Sequence, residues 1–101
     1  MVLKLAQLET VRAEILPESP KQALVVVTGL LHDGATRVHE VQQQKLADGF
    51  VLSVITARPQ SAVATLALIP FERSITLDLT GMPAGPCRIM ANGLGTSVIV
   101  P

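Results

Sequence analysis

Apolar residues fall at every second position through most of this chain, and that alternation constrains its fold more than any other feature. In Thr10 to Leu16, TVRAEIL, the residues Val11, Ala13 and Ile15 share one parity while Thr10, Arg12 and Glu14 share the other. In Phe71 to Leu79, FERSITLDL, the residues Ile75, Leu77 and Leu79 repeat the pattern. A period of two puts the sets on opposite faces of an extended strand, whereas a helix would scatter them. Gln22 to Leu31 and Phe50 to Arg58 are apolar at both parities and rich in β-branched residues, as strands in the middle of a sheet are.

Turn chemistry separates the runs. PESP, from Pro17 to Pro20, carries a proline at each end and is expected to interrupt any ladder. His32-Asp33-Gly34, Ala47-Asp48-Gly49 and Asn92-Gly93 are turn signals, the last suited to a type I′ hairpin. Strands at Thr10–Leu16, Gln22–Leu31, Thr36–Gln44, Phe50–Arg58, Phe71–Leu79, Cys87–Ala91 and Thr96–Val100 make about seven, with no sustained helical period. The 101 residues suffice for one domain, 1–101, with a single core. The expected fold is therefore all-β: an immunoglobulin-like β-sandwich of two antiparallel sheets. The likeness is one of architecture only, since the chain has one cysteine, no Trp and no Tyr.

Composition narrows the function. Lys plus Arg and Asp plus Glu are 8 each, so the basic footprint of a nucleic-acid or anionic-lipid binder is missing. Phe50 and Phe71 are the only aromatics, too few to stack bases or sugars and better used in a core. Cys87 stands alone and is expected as a small buried hydrophobe, with Arg88 directed to the opposite strand face. No run approaches the about 18 apolar residues of a membrane helix, so membrane insertion is not expected. The first residues, MVLKLAQLETVRAE, are interrupted by Lys4, Gln7 and Glu9 and do not read as a signal peptide. The chain thus reads as cytoplasmic as it stands, or extracytoplasmic if Met1 heads a trimmed chain.

Chemistry gathers only at LLHDGATRVHE, Leu30 to Glu40. His32 and His39 are separated by a turn, and His39 and Glu40 point to opposite faces of a regular strand, so convergence on one ion would need a bulge. The expected reading is a turn with strand-surface residues. Ser19, Ser53, Ser61, Ser74 and Ser97 lack a G-x-S-x-G setting, and Gly93 to Gly95 precede no helix that could hold a phosphate. No catalytic, cofactor-binding or metal-ligating residue is assigned, and an enzyme is the third choice.

Pro59 to Pro70, PQSAVATLALIP, is the best suspect. It is uncharged and offers Ala62, Val63, Leu66, Leu68 and Ile69 where a sandwich loop is usually polar. It either folds over the core as a cap or presents an apolar contact to a partner. The candidate contact residues are Val63, Leu66, Leu68 and Ile69, with Arg58 at the rim. Strands apolar on both faces, zero net charge and a mean hydropathy of +0.47 also point to a homodimer, because a two-layer sandwich covers one face of each sheet.

Three segments, GLLHDGATRVHEV, TARPQSAVATLALIPFERSITLDLTGMPAG and CRIMANGLGTSVIV, resemble an uncharacterised family of small bacterial immunoglobulin-like domains, often found in predicted lipoproteins and exported proteins. The resemblance spans Gly29 to Val100. Its most specific parts are Asp33-Gly34 with Thr36-Arg37, Arg58-Pro59, and Ile69 to Glu72. It implies a sandwich fold and no known activity. Members commonly carry two cysteines at positions matching Ala35 and Ala64, and a bond between them would contribute about 3–4 kcal/mol. With alanine at both, the resemblance implies that this chain holds the region by packing.

The function expected is a non-enzymatic binding or structural-accessory domain acting through protein contact. The alternative is a protease-inhibitor-like sandwich whose wedges would be His32 to Thr36, Gln60 to Leu68 and Thr80 to Gly85, all at one end.

Overall fold

The computed structural model describes residues 1–61, 63 and 66–101, with Pro20 described through its backbone alone. The described chain forms eight strands and no helix: β1 (Val2–Leu5), β2 (Gln7–Leu16), β3 (Ser19–Asp33), β4 (Arg37–Leu46), β5 (Gly49–Arg58), β6 (Leu66–Asp78), β7 (Gly85–Ala91) and β8 (Leu94–Val100). Seven of these overlap the runs read from the alternation, with β4 starting one residue after Thr36 and β6 ending one before Leu79. The additional strand is β1, whose residues are all exposed and which is ordered by pairing with β5, from Val2 against Arg58 to Leu5 against Ile55.

The strands form a two-layer β-sandwich. In the three-stranded sheet β3 is central, with β2 and β6 antiparallel on its two sides. In the five-stranded sheet β5 is central, with β4 along one edge. The other edge of β5 is shared end to end: β1 covers Ile55–Arg58 and β7 covers Gly49–Leu52, with β8 beyond β7. The β5–β7 pair is parallel, and it departs from the all-antiparallel expectation. The reason is connectivity: the chain leaves β5, runs back through β6 in the other sheet, and re-enters beside β5 in the same direction.

The core lies where the two inner faces meet. β3 contributes Ala23, Val25 and Val27, β5 contributes Phe50, Leu52 and Val54, and Ile75, Leu77 and Leu79 come from β6 and the residue just after it. Cys87, Ile89 and Ala91 of β7 and Val98 and Val100 of β8 complete it. Each large side chain buried this way contributes about 1.5–3 kcal/mol of transfer free energy. Cys87 is among the fully buried side chains, and burial pushes its thiol pKa up, with Asp48 adding to the rise. Asn92 and Gly93 both have positive φ, 46° and 88°, as a type I′ turn demands.

Two local expectations are corrected. PESP does not break the ladder at both prolines: Pro17 and Glu18 form the turn, and Ser19 already pairs with Leu16. The next pair is Ile15 with Ala23, so residues 20–22 stand out of register with β2, where the missing N–H of Pro20 costs no bond to that strand. The stretch 59–70 is likewise not one long connection. β6 begins at Leu66, with Leu66 opposite Asp33, Ile69 opposite Leu31 and Pro70 opposite Leu30. A bulge sets Ala67 and Leu68 against the single residue His32, and it is this extra residue that hides the alternation.

Candidate functional site

The carboxyl ends of β3 and β5 and the start of β6 meet at one end of a molecule measuring 49 × 21 × 20 Å. The two layers are tied together here through a carboxylate. Asp33 Oδ1 accepts from the Ala35 N–H at 2.9 Å, the Thr36 N–H at 2.8 Å and the Thr36 hydroxyl at 2.8 Å. Its Oδ2 accepts from Arg58 Nε at 2.9 Å, joining β3 to β5 across the layers. The Thr36 hydroxyl bond, followed by the two backbone bonds and Arg58, holds the Asp33 carboxyl below the ordinary 3.8, against a partial opposing effect of burial. The Asp33-Gly34 turn and the Arg58 corner, read separately in the sequence, are therefore one hydrogen-bonded unit.

Around this unit the sandwich is open. A cavity of about 310 Å³ lies between the layers, with Val2 and Ala6, Leu31, Lys4, Asp33 and Arg58 among its walls. His32 stands at its rim, its Nε2 2.6 Å from Gln7 Oε1. His39 is the bulged residue of β4, skipped between the pairs Val38–Thr56 and Glu40–Ile55. A bulge thus exists where convergence with Glu40 would need one. Even so, among the described residues no group of three or more His, Cys, Asp or Glu is placed to hold a metal.

The candidate contact residues are gathered at this same end. Val63 is 99% exposed, Leu66 85%, Leu68 64% and Ile69 37%, so these side chains do not cap the core. Arg58 is a partner of Asp33 rather than only a rim residue. Ala62 and Ala64 lie outside the described residues. The proposed inhibitor wedges are not brought together. His32–Thr36 and the described part of 60–68 share the Arg58 end, whereas Thr80–Gly85 follows β6 at the far end, where the Lys45 ammonium donates to the Thr80 carbonyl at 2.5 Å. The picture of three loops at one end of the sandwich is thereby overturned.

The first strand, which lines this cavity, was the element that residue patterns missed. Val2, Lys4 and Ala6 alternate in VLKLA, which was the available signal, but Leu3 and Leu5 at the other parity masked it. No helix of the described residues is long and apolar enough to cross a membrane.

Comparison with known proteins places this geometry in a lineage. Residues 25–100 match the family model of the ORF11 beta-sandwich domain. Two proteins of Herpetosiphon aurantiacus, described as uncharacterized 10.2 kDa proteins in the HgiBIM and HgiEIM 5′ regions, are each 32% identical over 79 residues, covering 78% of this chain and 95% of the relative. A third, in the HgiCIIM 5′ region of the same organism, is 30% identical over 91 residues, covering 90% of this chain and 96% of the relative. No solved structure matches the chain. With three quarters of its length matched and the sandwich in place, the chain belongs to the ORF11 beta-sandwich domain family.

Proposed function

We propose that this chain is a non-enzymatic contact domain of immunoglobulin-like architecture that works through its open end, and that its partner there is a second copy of the same chain. The observation that carries this reading is where the exposed apolar side chains fall. Of the ten large hydrophobics exposed among the described residues, Met1, Val2, Leu3, Leu5, Val63, Leu66, Leu68 and Ile69 lie at the Arg58 end, leaving only Leu46 and Ile99 elsewhere. Apolar side chains left exposed together at one end are the kind of surface that marks interaction sites. The edge of β6 facing away from β3 pairs with no described strand, so its first residues offer backbone groups as well as side chains. No charged residue occurs between Arg58 and Glu72, so two copies can meet through this segment without like-charge repulsion.

Light scattering across the micromolar range tests the reading. The expected result is a mass that rises to that of a dimer with concentration. The double variant Leu66→Ser/Leu68→Ser should stay monomeric with an unchanged melting temperature. A monomer at every concentration would sink the proposal, and a lowered melting temperature without a change in association would return these residues to a packing role. The resemblance also implies an exported setting, which fractionation of the host tests. Ala35 here forms part of the Asp33 turn, and with Cys87 as the only cysteine the domain stands without an internal disulfide.

A further inference from the structure

The cavity at the open end has a cause that can be read along two strands. The residues of β5 directed at the facing sheet are Phe50, Leu52, Val54, Thr56 and Arg58, and those of β3 run through Val25, Val27, Gly29, Leu31 and Asp33. Toward the open end β5 turns polar at Thr56 and Arg58, and β3 passes through Gly29 to the polar Asp33, with Leu31 the one large apolar side chain between them. Packed sheets keep a spacing of about 10 Å, so shorter side chains leave volume between them. At Gly29 that volume is taken: a Cβ there would lie 2.7 Å from the Phe71 ring and 2.3 Å from the Gln7 carbonyl oxygen. Next to it, around Ala6 and Thr56, the 310 Å³ cavity remains. Protein interiors otherwise fill to crystal-like density, and a void of this size is at the lower end of small-ligand sites, about 300–1,000 Å³.

The charge at the mouth selects the ligand. Three charged side chains line the cavity: Lys4, Arg58 and Asp33. Both oxygens of Asp33 are already occupied, one by Ala35 and Thr36 and the other by Arg58. Among the described residues the Lys4 ammonium has no hydrogen-bond or ion-pair partner, while the Lys4 carbonyl is held by the Thr56 hydroxyl at 3.1 Å. The strand therefore fixes the lysine backbone at the mouth and leaves its charge to solvent. We propose that this cavity binds a small amphipathic monocarboxylate, its apolar tail between Val2, Ala6 and Leu31 and its carboxylate on the Lys4 ammonium. A neutral ligand leaves the lysine unused, and a cation meets a mouth whose uncompensated charge is positive.

This site shares Val2 and Leu5 with the apolar end but none of its walls with Val63, Leu66, Leu68 or Ile69, so variants of β6 test it apart from self-association. The probe is decanoate, below its micellar concentration, titrated calorimetrically into the purified full chain, with decanol and decylamine as neutral and cationic counterparts. Decanoate is expected to bind saturably and more tightly than either counterpart. Lys4→Glu, an exposed position, should weaken it by about tenfold or more. Ala6→Leu should abolish binding by filling the cavity, with circular dichroism showing that the sheet content is kept. Leu66→Ser/Leu68→Ser should bind as the parent does. The proposal is overturned if the folded parent shows no saturable binding, if decylamine binds as well as decanoate, if Lys4→Glu changes nothing, or if the β6 double variant loses binding. Light scattering needs no probe, so failure here and failure of the dimer are read separately.

Discussion

Asn92 and Val54 hydrogen-bond to each other in both directions: the Val54 N–H donates to Asn92 Oδ1 at 2.9 Å, and Asn92 Nδ2 donates back to the Val54 carbonyl at 3.0 Å. Nδ2 also donates to the Ala6 carbonyl at 2.8 Å, and the Ala6 N–H reaches the Val54 carbonyl at 2.8 Å. The side-chain amide thus stands in for a strand residue at the seam where β1 and β7 share the edge of β5. It also sits at the point where Ala6 carries the chain from one sheet to the other. A turn residue chosen for its positive φ is in this way the joint between three strands.

Replacing Asn92 separates its two roles. Asn92→Ala should lose about 2–4 kcal/mol in urea denaturation, because three side-chain hydrogen bonds disappear and alanine is strained at a φ of 46°. Asn92→Gly keeps the backbone and should recover about 1 kcal/mol of that loss. If Asn92→Gly matches the parent, the amide contributes nothing to the seam.

The Asp33 unit should make stability depend on acid. Its carboxyl pKa is lowered in the folded state, chiefly by the Thr36 hydroxyl bond, so the folded form binds fewer protons than the unfolded form near the ordinary value of 3.8. Its contribution is fully present above that value and is lost as pH falls through the lower folded value. The melting-temperature gap between the parent and Asp33→Asn should therefore be widest above pH 5, roughly, and close on acidification. A gap that stays constant down to the acid limit would show that the charge is not what stabilises the turn.

Gly29 and Gly34 lie five residues apart and should respond oppositely to alanine. A Cβ at Gly29 would sit 2.3 Å from the Gln7 carbonyl oxygen, a backbone atom with no room to retreat, whereas nothing lies within 4 Å of a Cβ at Gly34. Gly29→Ala is expected to cost about 1–3 kcal/mol or to prevent folding, and Gly34→Ala to change stability by less than about 0.5 kcal/mol. Adding Phe71→Leu to Gly29→Ala should not rescue it, since the clash with Gln7 remains. Parallel denaturation curves of the three variants decide the matter.

Cys87 should be silent until the domain opens. It is 1% exposed and its thiol pKa is raised by burial. Alkylation by iodoacetamide in native buffer is expected to proceed only as fast as the protein unfolds, and to become rapid in denaturant. Rapid native labelling would mean that the β7 region opens locally.

The alternation in the sequence determined the strands themselves, because inward and outward residues must differ wherever one face of a sheet is buried. It also determined the Asn92-Gly93 turn, through the positive φ that those residues tolerate. What tertiary structure alone decided is how the strands meet. The four exposed residues of β1 form a strand because the edge of β5 is there to pair with, and Leu66 to Pro70 extend β6 because β3 runs on to Asp33 and offers them partners. The link from Asp33 to Arg58 crosses 25 positions and two sheets, a separation no local pattern encodes. The cavity is of the same kind: Ala6 and Thr56 look unremarkable one by one, and only their position between facing sheets turns small side chains into empty volume.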